Sequence, residues 1–337
     1  MAYDLEFERP LAELAKQIAE QERKVEAAQR RHDKTKPSEL EALLADLTRR
    51  RADLERETGR IYAGLSPWER VQVARHKQRP YTRDYIKLMC EEFFELRGDR
   101  HYGDDRAIQG GLACLNGRSV VILGHQKGRD TRERLECNFG MAHAEGYRKA
   151  MRLMRHAERF HMPVVTLIDI AGAAIDLEAE ERGISVAIAE NLIGMARLRT
   201  PILCIVTGEG GSGGALGISV GDRILMLEHS IYTVASPEAA ASILWRDAAF
   251  AANAAETMKI TAHDLLERAL IEEIIPEPLG GAHHDHTAMA AILKESITRH
   301  LEVLCAQPVN ELLDARYQRY RAIGETAYIQ ATPAGVS

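Results

Sequence analysis

The sequence predicts an α/β fold with largely buried sheets, preceded by an N-terminal helical hairpin, and three observations carry this. From about Pro67 onward, short β-branched runs alternate with amphipathic stretches and glycine turns, the pattern of strands covered by helices. Ahead of them lies a segment rich in Glu, Lys, Arg, Gln and Ala whose leucines recur at spacings of three and four. The 337 residues are 45% hydrophobic and 28% charged, enough apolar material for one large core plus an appendage.

The hairpin comes first. Leu11, Leu14 and Ile18, then Leu40, Leu43, Leu44, Leu47 and Leu54, place helices over 11–33 and 37–61. Lys34-Thr35-Lys36-Pro37-Ser38 interrupts them, because Pro37 disfavours helical geometry in the residue before it and suits a helix start itself. Strands are predicted at Ser119–Gly124, Val164–Asp169, Ile202–Thr207, Arg223–Leu227 and Ile231–Ala235. Helices fall at Tyr147–Arg159, Glu180–Arg197, Ala215–Val220 and Glu238–Trp245, and Thr287–Ile323 reads as a helical end. The expected organisation is an arm over 1–66, a core over 67–285, and a C-terminal helical segment and tail over 286–337.

Composition excludes several classes. A formal charge of −6 argues against a general nucleic-acid binder, which usually carries a basic face. There is no apolar run of about 18 residues, and the acidic stretch Met1–Pro10 has no hydrophobic core of a signal peptide, so a cytoplasmic address is expected and no membrane. The five cysteines are widely separated, without CxxC or Cys/His ligand spacing, so neither disulfides nor a structural zinc is expected. His283, His284 and His286 beside Asp285 read as a solvated loop rather than a metal site, since adjacent ligands rarely converge. No G-x-x-x-x-G-K-[ST] loop for ATP is present.

The richest local signal is Gly208-Glu209-Gly210-Gly211-Ser212-Gly213-Gly214-Ala215-Leu216, directly after an apolar strand. Glycine permits positive φ and removes the Cβ that blocks close approach, and amides at a following helix start then point outward. Gly208, Gly210 and Gly213 satisfy a dinucleotide G-x-G-x-x-G with Glu228 downstream, although Gly214–Gly221 is short and glycine-broken for the crossover helix. Gly210–Gly214 also fits a G-x-S-x-G elbow with Ser212 as nucleophile, which needs an acid from Asp222, Asp247 or Asp264 and His283 as base. A third reading makes the turn an oxyanion hole of backbone amides, with a second candidate at Asp169-Ile170-Ala171-Gly172-Ala173-Ala174. Glycine turns with no chemistry are the fourth.

Longer stretches carry a resemblance. These are Arg75-His76 with Gln78-Arg79-Pro80-Tyr81-Thr82, Gly98-Asp99-Arg100, Gly124-His125-Gln126-Lys127-Gly128-Arg129, Asn138-Phe139-Gly140-Met141 and Glu145–Ala150. Further along come Glu180-Glu181-Arg182-Gly183, the Gly208–Leu216 turn, Val220-Gly221-Asp222, Ser242–Trp245 and Ile274–His283. Together they resemble the alpha carboxyltransferase subunits of bacterial multisubunit acetyl-CoA carboxylases. The resemblance implies a crotonase-like superhelix of ββα units. It implies carboxyl transfer from carboxybiotin on a separate carrier protein to acetyl-CoA, giving malonyl-CoA for fatty acid biosynthesis, with no metal in this chain. The site is implied to be shared, the beta subunit holding the acyl-CoA thioester while the Gly213 and Gly214 amides, in a turn shaped by Gly210 and Gly211, hold the biotin oxygen. By that resemblance carboxybiotin loses CO2, the biotin enolate takes the acyl α-proton, the resulting thioester enolate captures the CO2, and no protein base is required. Gly172 and Ala173 are the second candidate turn. Arg75, His76, Arg79, Lys127 and Arg129 are candidates for CoA phosphates or the carboxylate, with a structural salt bridge as the alternative at each. Implied partners are the beta subunit in an α2β2 assembly, the biotin carboxyl carrier protein and biotin carboxylase, so that any ATP dependence belongs to the complex.

The departures from that family are local. Where it usually carries Thr-Pro-Gly-Ala-Tyr-Pro-Gly, this chain has Ile170-Ala171-Gly172-Ala173-Ala174-Ile175-Asp176, losing two turn-setting prolines and an aromatic. A looser loop is expected, with Asp176 and Glu178 adding negative charge near the approach of carboxybiotin. Ala142-His143-Ala144 likewise lacks prolines, and Ala239-Ala240 replaces a usual Gly-Cys. An altered acyl preference, a slower enzyme, or a non-catalytic paralogue that still binds the beta subunit are the readings these changes leave open.

Overall fold

The computed structural model describes residues 3–30 and 37–324. Two helices, Arg9–Arg30 and Pro37–Ala63, form the arm, Pro37 opening the second as its fixed φ favours. Residues 34–36 of the predicted interruption lie outside the described residues. Ile18, Val25 and Leu47 close the helices on each other with Leu40, Leu43 and Leu54. The base of the arm joins the core through Leu11, Tyr62, Leu65 and Val73.

Eight strands make one sheet: β1 (Glu92–Glu95), β2 (Ile108–Leu115), β3 (Arg118–His125), β4 (Val164–Ile170), β5 (Ile202–Gly211), β6 (Arg223–Leu227), β7 (Ile231–Thr233) and β8 (Glu273–Ile275). Their order is β1-β2-β3-β4-β5-β6-β8, with β7 paired to the far end of β5. The first three run antiparallel, and β3, β4, β5, β6 and β8 run parallel. Alternation of side chains sends Val121, Leu123, Ile202, Cys204, Val206, Ile224 and Met226 to one face, against the helices Ala144–Arg159 and Ile184–Arg197. Val120, Ile122, Val165, Leu167, Leu203, Ile205, Leu225 and Leu227 go to the other, against the helices Thr82–Met89 and His286–Cys305. Burial on both faces explains why β4 and β5 read as continuous apolar runs.

Several boundaries differ from the sequence-based expectation. β1, β2 and β8 were not predicted: β1 is exposed and acid-flanked, β8 is three residues long, and Gly110-Gly111 interrupts the β-branched texture of β2. Gly111 is required there, since a Cβ would lie 2.0 Å from the Phe94 carbonyl oxygen on β1. The predicted helix over 180–197 is two, Leu177–Glu181 and Ile184–Arg197, broken at Gly183 with φ of 75°. The helix expected over 215–220 instead runs Ser212–Leu216, and β7 ends at Thr233 because Ser236 caps the next helix, Pro237–Trp245. No helix among the described residues is long and apolar enough to cross a membrane.

The C-terminal helix Val309–Arg321 is held to the core by Leu312, by Arg319 and Tyr320, and most deeply by Arg316. Buried Arg316 donates to both carboxylate oxygens of Asp222 at 2.8 Å and to the carbonyls of Met195, Leu198 and Thr200 at 2.7–2.9 Å. Arg316→Ala strands a buried carboxylate and three carbonyls, so a loss of about 3–5 kcal/mol is expected in denaturant unfolding. A change within about 0.5 kcal/mol, the scale of an ordinary surface substitution, removes the clamp from the account.

Candidate active site

Three turns meet where β3, β4 and β5 end, the carboxyl edge at which parallel sheets usually present ligand sites. They are His125–Lys127, Ile170–Ala174 and Gly208–Gly214. The pairing of β4 with β5 slips between Ile168 opposite Val206 and Ile170 opposite Gly210, so β5 bulges around Gly208 and Glu209. Beyond the bulge β5 leaves β6 and pairs with β7. Gly208 faces the Asp169 carboxylate so closely that a Cβ would lie 2.4 Å from its oxygen.

The glycines serve close approach rather than positive φ. Within Gly208–Gly214 the left-handed residue is Ser212, at φ 55°, and none of the glycines. A Cβ on Gly211 would stand 1.9 Å from the Ala171 carbonyl oxygen, and one on Gly214 would stand 2.5 Å from the Ala173 nitrogen. The turns after β4 and β5 therefore pack backbone against backbone. At Gly213 a Cβ would meet nothing nearer than Ile188, at 4.0 Å, and at Gly172 nothing at all. Gly213 and Gly172 thus face open space while Gly211 and Gly214 form the seam. Gly211, at the helix start, has no side chain to cap the amides of Ser212, Gly213 and Gly214. Beneath the turn, the Tyr147 hydroxyl donates to the Gly214 carbonyl at 3.1 Å. Asn191 Nδ2 donates to the carbonyls of Tyr147 and Gly217, each at 2.9 Å.

A chain of charges backs the site. Lys127 Nζ lies 2.6 Å from Asp169 Oδ1, and that oxygen also accepts the Glu209 amide at 2.9 Å. Burial alone pushes the Lys127 pKa down, but Asp169, helped by Glu209, outweighs it and holds the ammonium above its ordinary value. Arg75 donates to Glu209 at 2.6 and 2.9 Å and to Glu238 at 2.5 and 3.2 Å, tying the bulge to the helix Pro237–Trp245. Glu238 and Asn191 carry no role in the sequence reading, and Asp169, Glu209 and Tyr147 appear there only within their motifs, without one. An acid inside each of two apolar strands was the available signal for Asp169 and Glu209.

The structure disperses the basic candidates. Arg79 is buried, donating to both oxygens of Glu277 at 2.7 Å and to the Thr207 carbonyl at 2.8 Å. His76 is buried against Asp4, 2.7 Å from its Nε2. Arg129 stacks on Tyr81, 4.1 Å from the ring centre, pairs with Asp84 and donates to the Lys77 carbonyl at 2.9 Å. Lys127 and Arg75 are ion-paired to acids at the glycine turn, and Arg79 holds the backbone just before it. Asp176 is occupied too, accepting the Ala179 amide at 2.9 Å and lying 2.9 Å from His143 Nε2, while Glu178 pairs with Arg182 at 2.8 Å.

Neither competing motif assembles. Ser212 makes no hydrogen bond to a histidine or carboxylate among the described residues. Of its nominated partners, Asp222 holds Arg316, Asp247 and Asp264 cap helices, and His283 stacks on His76 with ring centres 4.0 Å apart. The dinucleotide reading fails on its helix, which has five residues, and on Glu228, which accepts the Glu277 amide at 3.3 Å. The solvated loop expected at His283 and His284 is also corrected. His283 is 7% exposed, and its ring lies 4.4 Å from that of His284.

Parallel strands ending in two glycine-seamed turns, one with uncapped amides, fit a crotonase-like α/β fold. Solved structures agree. Transcarboxylase 12S with methylmalonyl-coenzyme A and methylmalonic acid bound superposes with a TM-score of 0.57 at 19% identity, over 68% of this chain and 42% of that one. A Pseudomonas malonate decarboxylase hetero-tetramer in complex with coenzyme A gives 0.57 at 17%, over 74% of this chain and 98% of that one. This chain thus spans under half of the transcarboxylase polypeptide, and at these identities the likeness establishes the fold. The chain belongs to the acetyl co-enzyme A carboxylase carboxyltransferase-like family, whose pattern matches residues 4–324. It is 52% identical over 325 residues to the acetyl-coenzyme A carboxylase carboxyl transferase subunit alpha of Geobacter metallireducens, covering 96% of this chain and 98% of that relative. It is also 52% identical over 320 residues to the same subunit of Methylococcus capsulatus, covering 95% and 96%.

The seam separates two neighbouring glycines experimentally. Gly214→Ala drives a methyl into backbone and is expected to cost about 1–3 kcal/mol or more of stability. Gly213→Ala should stay within about 1 kcal/mol of the native chain. Thermal and denaturant melts of both variants check this, and equal melts contradict the seam.

Proposed function

We propose that this chain is the alpha half of a carboxyltransferase that moves a carboxyl group from carboxybiotin to acetyl-CoA, yielding malonyl-CoA for fatty acid biosynthesis. The observation that carries the reading is the Gly211–Gly214 turn, with amides uncapped and Gly213 open, held rigid by its seam with the turn after β4. Such preorganised donors suit an oxygen that gains charge during reaction, where each typically lowers the barrier by about 2.7–4 kcal/mol. Carboxybiotin, held on a separate carrier protein, supplies the activated carboxyl unit. In this chain Gly213 and Gly214 hold the biotin oxygen, Tyr147 and Asn191 position that turn, and Lys127 with Asp169 and Arg75 with Glu209 fix the strand bulge behind it.

A partner completes the site. One oxyanion hole serves one oxygen, and the acyl thioester needs another, assigned here to a beta subunit in an α2β2 assembly that works with biotin carboxyl carrier protein and biotin carboxylase. Ile175, Leu177 and Leu216 are exposed on and beside the two turns, as expected of a surface that a partner covers.

The test is acetyl-CoA-dependent carboxyl transfer by the chain alone and mixed with its beta partner. Activity is expected only in the mixture. Gly213→Val should lower it about 10²–10³-fold without changing complex size on gel filtration, while Ser212→Ala leaves it largely intact. Transfer by Gly213→Val at the native rate overturns the assignment. A native complex without any transfer identifies the non-catalytic paralogue instead.

A further inference from the structure

The loop after β8 does something its sequence argued against. Gly280 and Gly281 both take positive φ, 84° and 94°, and reverse the chain so that the adjacent residues His283 and His284 both turn toward the N-terminal arm. There they meet Glu8, a fully buried carboxylate from the turn Glu6–Glu8. One donor atom from each of the three lies within 4.8 Å of the other two. Convergence comes from a residue far away in sequence, a possibility that the spacing of the histidines does not contain.

These donors are poorly matched by the protein alone. Both ring nitrogens of His283 and Nε2 of His284 are buried without a hydrogen-bond partner. Each such group typically costs about 1–3 kcal/mol when left unmet, so an array of three calls for a cause. A neutral imidazole with a ring nitrogen left unpartnered offers a lone pair to a metal. Glu8 is oriented as an outer shell would orient it: Tyr62 donates to its Oε1 at 2.6 Å and the Leu5 amide to its Oε2 at 3.0 Å. His284 Nε2 stands 3.7 Å from that Oε1. Zinc bonds of about 2.0–2.2 Å place neighbouring tetrahedral ligands about 3.3–3.6 Å apart, so a small rotation of the rings closes the set.

We infer that Glu8, His283 and His284 form a binding site for a divalent transition ion of the zinc class, which pins the N-terminal arm to the core. Two imidazoles and one carboxylate favour zinc over magnesium or calcium, which select oxygen ligands. The fourth position has a route to solvent, since His283 also lines a pocket of about 400 Å³ with Lys77, Gln78, Arg129, Arg134 and His286. The cations of that pocket favour water or a small anion as the remaining ligand. The site is separate from the glycine turns, and carboxyl transfer is not required for it to bind.

The experiment uses the untagged, folded chain with its accessible cysteines Cys90, Cys114 and Cys305 blocked by alkylation under native conditions. It is incubated with zinc chloride, desalted against a weak chelator, and assayed for bound zinc by mass spectrometry and for melting temperature with and without the metal. One zinc per chain and a zinc-dependent rise in melting temperature are expected. His283→Ala and His284→Arg should each lose both. His284→Arg places a guanidinium beside Glu8 but supplies no metal ligand; a metal-free melting temperature equal to that of the native chain then shows that its loss of zinc does not come from unfolding. No zinc retained by the native chain, or equal zinc in His284→Arg, overturns the proposal.

Discussion

The contact on which the site depends is one of backbone on backbone. Where the turns after β4 and β5 meet, Gly211 and Gly214 stand where any side chain would enter Ala171, Gly172 or Ala173. Dispersion over this seam is small per atom, but interiors are close-packed and the turns have no room to slide. That fixes the direction of the amides at Gly213 and Gly214 before any ligand arrives, which is what preorganisation means in energetic terms. Gly213, by contrast, keeps its glycine where packing does not demand it, which points to a requirement from outside the fold.

The charges behind the seam serve the same end. The bulge at Gly208 and Glu209 places two acids, Asp169 and Glu209, at the end of a buried sheet, where each needs a cation. Lys127 comes from the turn after β3 and Arg75 from the end of the helix Pro67–Ala74, so each pair ties the bulge to a separate element. Geometry this specific is the best-attested use of buried ion pairs, whose net contribution to stability is often small. Arg79 and Glu277 repeat the arrangement one step deeper, holding the Thr207 carbonyl where β5 turns into the bulge.

Much of this was legible in the sequence, for identifiable reasons. The strands β3, β4, β5 and β6 and the long helices announce themselves because each is a run of one periodicity, and the glycine turn stands out because its composition has few uses. The hairpin of β2 and β3 carries its own local signal in Asn116-Gly117, with φ of 50° and 71°, the pair that favours a tight two-residue turn. Basic residues in matched motifs were legible as important but not as to role. Arg79 and His76 meet Glu277 and Asp4 only in the folded chain, and nothing in local spacing distinguishes a ligand-facing arginine from a buried, paired one. His283 and His284 failed in the opposite direction, since their partner Glu8 lies at the other end of the chain.

The altered loop after β4 shows how a fold keeps a turn rigid by different means. Proline stiffens a loop by reducing the entropy of the unfolded chain, an effect of about 0.4–1 kcal/mol per residue. Ile170–Asp176 has none, yet the Ala174 amide donates to the Ala142 carbonyl at 3.0 Å and Asp176 caps the next helix while pairing with His143. Both anchors, Ala142 and His143, lie in the other segment that departs from the family pattern. The two departing segments therefore hold each other, through one backbone hydrogen bond and through the side-chain pair of His143 with Asp176. Native-state contacts of this kind typically contribute about 0.5–1.5 kcal/mol each, comparable to the entropy given up. The seam that aligns the glycine turn is then preserved, because it needs the Ala171–Ala173 backbone in place and is indifferent to how that backbone is held.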